Sequence, residues 1–158
     1  MSVLIFSDTH GDVQGMASLV SRHNPEMVLH LGDCTRDAER LAALFPGLTI
    51  RHVRGNCDYS GGGAPEFFVA EWRGHKLYLT HGHRHGIHYG LQHLADCAAA
   101  CHCEAAFYGH THTAWRETVR GILLGCPGSL TRPRDGRYAY GVLEEYDGAL
   151  DFMIREDQ

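Results

Sequence analysis

Short apolar runs that end directly in polar or glycine residues recur along this chain of 158 residues. Three of these runs lead into Asp8-Thr9-His10, His81-Gly82-His83 and His110-Thr111-His112. Side chains two positions apart in an extended segment lie on the same side, so each turn presents two side chains to one target. A single turn of this kind could equally well be a solvated turn on the surface. Three of them behind three apolar runs indicate buried strands whose polar ends meet at a shared centre.

The first half of the chain alternates strand and helix patterns. Strands are predicted over Ser2–Ser7, Met27–Leu31 and Leu48–Val53, and helices over Val13–His23 and Arg36–Phe45, with Asp12 and Thr35 as their N-caps. This βαβαβ order predicts parallel strands joined by right-handed crossovers. Polar residues that follow such strands gather at one edge of the sheet.

The second half has more strands and fewer helices. A mobile loop is predicted over Ser60–Pro65, a helix over Tyr89–Cys101, and strands over Glu66–Trp72, His75–Thr80, Ala105–Tyr108, Ala114–Val119, Ile122–Gly125, Arg137–Tyr146 and Leu150–Ile154. We therefore expect one domain over residues 1–158. It should contain two packed sheets, the first parallel and the second mostly antiparallel, with helices outside.

Composition narrows the class of protein. A formal net charge of -5 with 14 Lys and Arg argues against a surface that coats nucleic acid or binds a membrane, while a small anionic ligand is compatible with it. Because no run of about 18 apolar residues occurs, no membrane span is expected. The six cysteines without an apolar leader predict reduced thiols in the cytoplasm. The 13 histidines exceed what a core needs and supply nitrogen ligands.

The side chains at the ends of the apolar runs offer a mixture of oxygen and nitrogen that suits divalent transition metals. They are Asp8, His10, Asp33, Asn56, His81, His110 and His112. Seven ligands are too many for one ion, whereas two ions could share Asp33 and hold a hydroxide between them for in-line attack on a phosphoryl group. Taken singly, Asp33 could instead cap a helix and Asn56 could simply form a turn.

Five motifs in this order resemble those of the calcineurin-like metallophosphoesterases, and in particular the small prokaryotic YfcE-type phosphodiesterases. They are Asp8-Thr9-His10, Gly32-Asp33, Gly55-Asn56-Cys57-Asp58, Thr80-His81-Gly82-His83 and Gly109-His110-Thr111-His112. The resemblance implies a four-layer α/β/β/α sandwich of two mixed sheets. It also implies that Asp8, His10 and His112 hold a first metal, that Asn56, His81 and His110 hold a second, and that Asp33 bridges them. Manganese is the metal expected first, with nickel, iron or zinc as alternatives.

The position after Asn56 departs from the wider superfamily, where many members have a histidine that protonates the leaving group. Here it is Cys57, whose thiol beside two cations is expected to be a thiolate and a poor donor. His83 and Asp58 are the next candidates for the catalytic proton donor, although His83 is equally compatible with a supporting or solvent-facing role.

A Pro127-Gly128-Ser129 loop also resembles the YfcE-type group. Ser129, Arg132 and Arg134 are candidates for binding substrate phosphate, because guanidinium matches phosphate geometry; solvated arginines are the alternative.

The sequence favours a phosphodiesterase that acts on a small phosphate ester. A phosphomonoesterase is one alternative. Another is a non-catalytic scaffold that retains the fold, like the retromer subunit that resembles this family. The complete ligand set favours an enzyme, and the sequence leaves a homo-oligomer open. Cys97, Cys101 and Cys103 beside His102 raise the question of a structural zinc, but their spacing is more typical of buried thiols.

Overall fold

The chain folds into two five-stranded sheets with three α-helices in the computed structural model, which describes residues 1–58 and 63–157. The strands are β1 Ser2–Phe6, β2 Met27–His30, β3 Thr49–His52, β4 Phe67–Trp72, β5 His75–Thr80, β6 Ala105–Phe107, β7 Trp115–Val119, β8 Ile122–Cys126, β9 Ala139–Tyr146 and β10 Ala149–Glu156. The helices are α1 Val13–His23, α2 Thr35–Leu44 and α3 Gln92–Ala100, and a 3₁₀ turn spans Ile87–Tyr89.

The first sheet has the order β10-β9-β1-β2-β3. Its strands β1, β2 and β3 are parallel, with Val3 opposite Met27 and Val28 opposite Ile50. The C-terminal hairpin of β9 and β10 continues this sheet, because β9 pairs antiparallel with β1. The expectation of a parallel first sheet was therefore wrong, and the sheet is mixed. The hairpin covers the free edge of β1, which would otherwise offer unpaired backbone groups.

The second sheet has the order β4-β5-β6-β8-β7. Its centre is parallel, since β6 pairs parallel with both β5 and β8, while β4 and β7 are antiparallel edge strands. The expectation of a mostly antiparallel second sheet was also wrong. Helix α3 lies between β5 and β6 in the chain and provides the long connection that a parallel pair requires.

The fold has four layers, with the two sheets in the middle and helices on the outer face of each sheet. Apolar side chains of both sheets, such as Ile5, Leu29, Leu79 and Phe107, form the core between them. Helices α1 and α2 cover the outer face of the first sheet, and α3 covers that of the second. This arrangement confirms the α/β/β/α sandwich of two mixed sheets.

Helix boundaries differ slightly from those predicted. The Asp12 side chain caps α1 by accepting a hydrogen bond from the Gly15 amide at 2.9 Å, as expected. The N-cap of α2 is Cys34 rather than Thr35, and its side chain forms no capping bond. The helix predicted from Tyr89 begins at Gln92, because Gly90 has a φ of 130° that interrupts it. Of the loop predicted over Ser60–Pro65, residues 60–62 lie outside the described residues.

No helix within residues 1–58 and 63–157 is both long enough and apolar enough to span a membrane.

Candidate metal centre

The predicted ligands follow the carboxyl ends of strands from both sheets, and tight backbone turns direct them inward. Five of the seven have a positive φ: Asp8 (53°), His10 (45°), Asp33 (53°), His110 (72°) and His112 (56°). This left-handed conformation is uncommon for residues other than glycine, although Asn, Asp and His are the residue types that tolerate it best. Such turns let a side chain leave the strand direction and point across the gap between the sheets.

Two motif glycines allow these turns to approach each other. A Cβ atom on Gly55 would lie 2.1 Å from Asp33 Oδ1, and one on Gly109 would lie 1.9 Å from Ser7 Oγ and 2.9 Å from Asp8 Oδ2. All three distances are below van der Waals contact. The glycines of the Gly-Asn and Gly-His motifs are therefore required by packing against the carboxylates.

A first group of ligand atoms comes from Asp8, His10, Asp33 and His112, one atom each, all within 4.8 Å of one another. The Nε2 atom of His112 lies 3.0 Å from Asp8 Oδ1. Its Nδ1 donates to the carbonyl of Arg132 at 2.8 Å, which leaves Nε2 as the nitrogen that faces the group. This is the second-sphere arrangement that orients histidine ligands in metal sites.

A second group adjoins the first through Asp33. The Oδ2 atom of Asp33 lies 3.6 Å from His81 Nε2, and Asn56 Oδ1 lies 3.0 Å from His110 Nδ1. His81 Nδ1 donates to the carbonyl of Leu31 at 2.8 Å, so its Nε2 also faces inward. The rings of His81 and His110 are 5.1 Å apart between centroids. All seven predicted ligands thus meet in one place, with Asp33 between the two groups.

Several polar atoms at this centre are buried without a hydrogen-bond partner among the described residues: Asp8 Oδ1, His10 Nε2, His81 Nε2 and His83 Nδ1. A buried polar atom without a partner costs about 1–3 kcal/mol. Three of the four belong to predicted ligands and point at one another. These residues therefore fit a bound cation, which would satisfy the carboxylate oxygen and the nitrogen lone pairs together.

The electrostatics favour deprotonated ligands. Burial opposes ionisation of Asp8, but contacts with His112, His81 and Ser7 outweigh it and lower the pKa of Asp8 to about 2. Burial lowers the pKa of both His10 and His110, which keeps their nitrogens free for a metal. His112 is the exception, because its contact with the Asp8 carboxylate raises its pKa above the usual value.

The candidate proton donors differ in their surroundings. Cys57 is exposed, and slight burial together with the Asp33 carboxylate raises the pKa of its thiol. The thiolate expected from the sequence depends on two bound cations, whereas this direction reflects burial and the neighbouring carboxylates. His83 lies with its ring 5.6 Å from that of His81 and 6.2 Å from that of His110. It remains a candidate beside the metal ligands.

Asp58 has a role that the sequence did not indicate. Its Oδ1 accepts the amides of Cys34 and Thr35 at 2.8 and 2.9 Å, and its Oδ2 accepts those of Asp33 and Gly55 at 2.9 and 2.7 Å. Both oxygens are occupied by four backbone amides. This geometry corrects the predicted catalytic role of Asp58, whose carboxylate instead fixes the Asp33 turn to the Gly55 turn.

The structure also changes the role predicted for one residue of the phosphate-binding loop. Ser129 is fully buried, and its Oγ donates to the Asp8 carbonyl at 2.9 Å while accepting the amides of Thr131 and Arg132. It therefore holds the Asp8 turn and cannot bind substrate phosphate. Arg132 and Arg134 are exposed, and no ion pair joins either of them to another described residue. They stay candidates for substrate binding.

A buried polar network behind Asp8 was missed from the sequence. The Thr9 hydroxyl donates to Asp37 Oδ2 at 2.6 Å and lies 2.9 Å from His30 Nε2, while the Gly11 amide donates to the same oxygen of Asp37 at 2.8 Å. Burial lowers the pKa of His30 to about 4, so it is neutral and donates to Thr9. The signal for this network in the sequence was His30, a histidine inside the otherwise apolar run Met27–Leu31.

The cysteines near α3 give no support to a structural zinc. Among the described residues, the only ligand group this compact is that of Asp8, His10, Asp33 and His112.

Known proteins are similar to this chain in sequence. The family model for the calcineurin-like phosphoesterase superfamily domain matches residues 1–148. A probable metallophosphoesterase of Bacillus subtilis (strain 168), YsnB, is 35% identical over 157 residues, which cover 96% of this chain and 90% of that protein.

Solved structures of similar fold include a conserved uncharacterized protein and predicted phosphoesterase from Streptococcus pneumoniae TIGR4, with a TM-score of 0.78, 27% identity, and coverage of 98% of this chain and 97% of that one. Two others are below 25% identity and show the fold alone. A novel archaeal phosphodiesterase has a TM-score of 0.76, 22% identity and coverage of 98% and 100%. Vps29 of Entamoeba histolytica complexed with Zn²⁺ has a TM-score of 0.78, 20% identity and coverage of 99% of both chains. By its sequence and its fold, this chain belongs to the calcineurin-like phosphoesterase superfamily.

Proposed function

We propose that this protein is a phosphodiesterase that uses two divalent metal ions, manganese first among them, to hydrolyse a small phosphate ester in the cytoplasm. The observation that carries the proposal is the set of buried, partnerless atoms of Asp8, His10 and His81 facing Asp33 at the meeting point of the two sheets. A scaffold does not need such atoms, which are costly when left without a partner.

The predicted ligands divide into two sets, one for each metal ion, and share Asp33. Asp8, His10 and His112 would hold one ion, Asn56, His81 and His110 the other, and Asp33 both. Bound ions would lower the pKa of a water nucleophile and neutralise charge on the phosphoryl group. Asp33 is held for this role by the amide of Cys57, which donates to its Oδ1 at 2.9 Å and leaves Oδ2 directed towards His81.

A proton donor for the leaving group would come from His83 in this proposal. Its ring lies 5.6 Å from that of His81, among the ligand histidines, and its Nδ1 is buried without a partner. Cys57, exposed at the turn after Asn56, is the alternative donor. A general acid contributes about 10²–10⁴-fold, and most for poor leaving groups.

The test is to strip the purified protein of metal and reload it with Mn²⁺, Ni²⁺, Fe²⁺ or Zn²⁺. Rates are then compared for bis(p-nitrophenyl) phosphate and p-nitrophenyl phosphate. We expect the diester to have at least a tenfold higher kcat/KM. Asp33→Asn should remove activity, whereas His23→Gln, a histidine that contacts Tyr140 away from the centre, should retain it.

The outcomes separate the alternatives. A higher kcat/KM for the monoester would identify a phosphomonoesterase. Metal bound by the protein without hydrolysis of either ester would favour a non-catalytic scaffold. For the donor, His83→Gln should slow alkyl diesters more than aryl diesters, and equal losses on both would exclude His83 as the general acid.

A further inference from the structure

An open cavity of about 590 Å³ extends from the first ligand group along the start of α2. His10 of the metal centre forms one part of its wall, and Arg36 and Arg40 form another. A cavity of this volume is in the range of small-molecule sites. A substrate whose phosphate lies at the metal centre would therefore have room to extend towards the two arginines.

The two arginines and two carboxylates that line this cavity do not pair with each other. Its two carboxylates are already occupied: Asp37 accepts the Thr9 hydroxyl and the Gly11 amide, and Asp58 accepts four backbone amides. Arg36 and Arg40 are exposed, and neither forms an ion pair with any residue within 1–58 or 63–157.

The spacing of the two arginines is itself unfavourable without a ligand. Residues four apart on a helix are neighbours on its surface, and like charges there weakly destabilise the helix. Two guanidinium groups side by side match a phosphate dianion, whose three terminal oxygens can accept from both. A carboxylate has only two oxygens and is satisfied by one arginine. Asp58 accepts the Cys34 and Thr35 amides at the start of α2, so binding of an anion there would depend on the arginine side chains.

We infer that the cavity lined by His10, Arg36 and Arg40 binds a second phosphate group of the substrate, so that the preferred substrates are phosphodiesters that carry a further phosphate monoester. This inference rests on the proposed function, because it places the scissile phosphate at the metal centre. It narrows the substrate class from diesters in general to diesters with a second anionic group.

The experiment uses two chromogenic diesters that differ only in the second phosphate. They are thymidine 5′-(p-nitrophenyl phosphate) and the same compound with a 3′-phosphate. We expect the wild-type, metal-loaded protein to have a kcat/KM about tenfold or more higher for the 3′-phosphorylated ester. In Arg36→Gln/Arg40→Gln this ratio should fall to about one. Arg51→Gln, an exposed arginine on β3 outside the cavity, should keep the wild-type ratio.

A binding measurement makes the test independent of turnover. Titration of thymidine 3′,5′-bisphosphate into the metal-loaded protein should give a Kd about tenfold or more lower than that of thymidine 5′-monophosphate, and only in proteins that keep both arginines. A thymidine 5′-phosphate with a 3′-carboxymethyl group should gain less affinity than the bisphosphate. An equal gain would overturn the assignment to phosphate.

The two proposals fail in different ways. If neither ester is hydrolysed, the phosphodiesterase proposal fails. If both are hydrolysed with equal kcat/KM and the bisphosphate binds no better in the wild type than in the double variant, the second phosphate site is wrong while the phosphodiesterase stands.

Discussion

Asp58→Asn is the most informative single change, because it keeps the shape of the side chain while altering its hydrogen bonding. Asp58 accepts four backbone amides, two on each oxygen. In asparagine one oxygen becomes an NH₂ group, so two amides lose their acceptor and face a donor. An unpaired buried amide costs about 1–3 kcal/mol. With a discount for the partial exposure of this site, we expect the free energy of unfolding to fall by about 2–4 kcal/mol.

Thermal unfolding followed by circular dichroism or calorimetry measures this effect. At about 2–4 °C per kcal/mol for a chain of this size, the Tm should fall by roughly 4–16 °C. Asp96→Asn is the matched control: its carboxylate forms only an exposed ion pair with Arg120, and such pairs contribute about 0–1 kcal/mol. Metal affinity should fall with stability in Asp58→Asn, because the Asp33 turn loses its anchor. An unchanged Tm together with a large loss of kcat would refute the positioning role and restore the catalytic one.

Three further predictions concern the metal centre and the sheet packing. Gly55→Ala should lower metal occupancy and activity together, since its Cβ would lie 2.1 Å from Asp33 Oδ1; full occupancy by elemental analysis would contradict this. Removing metal with a chelator should lower the Tm by several degrees, since each ion at 100 times its Kd contributes about 2.7 kcal/mol; a Tm indifferent to chelator and to added Mn²⁺ would count against bound metal. Burial opposes protonation of His75, but contacts with Glu104 and Glu145 at 2.5 and 2.6 Å prevail and raise its pKa above the usual value. Its stabilising contribution should therefore be complete below about pH 6.5 and be lost as the pH rises through the raised folded-state pKa; His75→Gln should remove that part of the pH dependence, and an unchanged profile would show that the contacts do not hold in solution.

The sequence predicted the ligand turns well because each depends on local information. An apolar run of buried residues indicates a strand, and a polar pair directly after it marks the strand's end, as at Asp8 and His10 or His110 and His112. The βαβαβ order then places the ends of β1, β2 and β3 on one edge. No more than the order of elements was needed to bring Asp8, Asp33 and Asn56 together.

The sheet assignment of the C-terminal hairpin was less accessible from the sequence. The pairing of β9 with β10 is local, but the pairing of Ser2 with Glu144 joins opposite ends of the chain, and no short pattern encodes it. The parallel pair of β5 and β6 could have been predicted, because a helix stands between these strands.

The roles of Asp58 and Ser129 were also beyond pattern reasoning. Their partners are backbone amides and a carbonyl of distant turns, and any sequence supplies those groups. Sequence position alone therefore made both residues resemble active-site groups, although their side chains are fully engaged in holding the site together.

The turns that carry the predicted ligands have a left-handed backbone, and other parts of the chain hold them in place by hydrogen bonds. A left-handed conformation is unfavourable for residues other than glycine, and five of the predicted ligands adopt it. Protein groups hold two of these turns: the Asp8 amide donates to the Gly32 carbonyl at 3.0 Å, the His110 amide donates to Asp8 Oδ2 at 3.1 Å, and Ser129 Oγ donates to the Asp8 carbonyl. Because these bonds fix the backbone of the Asp8 and His110 turns, bound metal ions would need only to satisfy the ligand atoms that remain without partners. Binding would then require little rearrangement of these turns, which is the condition for a preorganised electrostatic site.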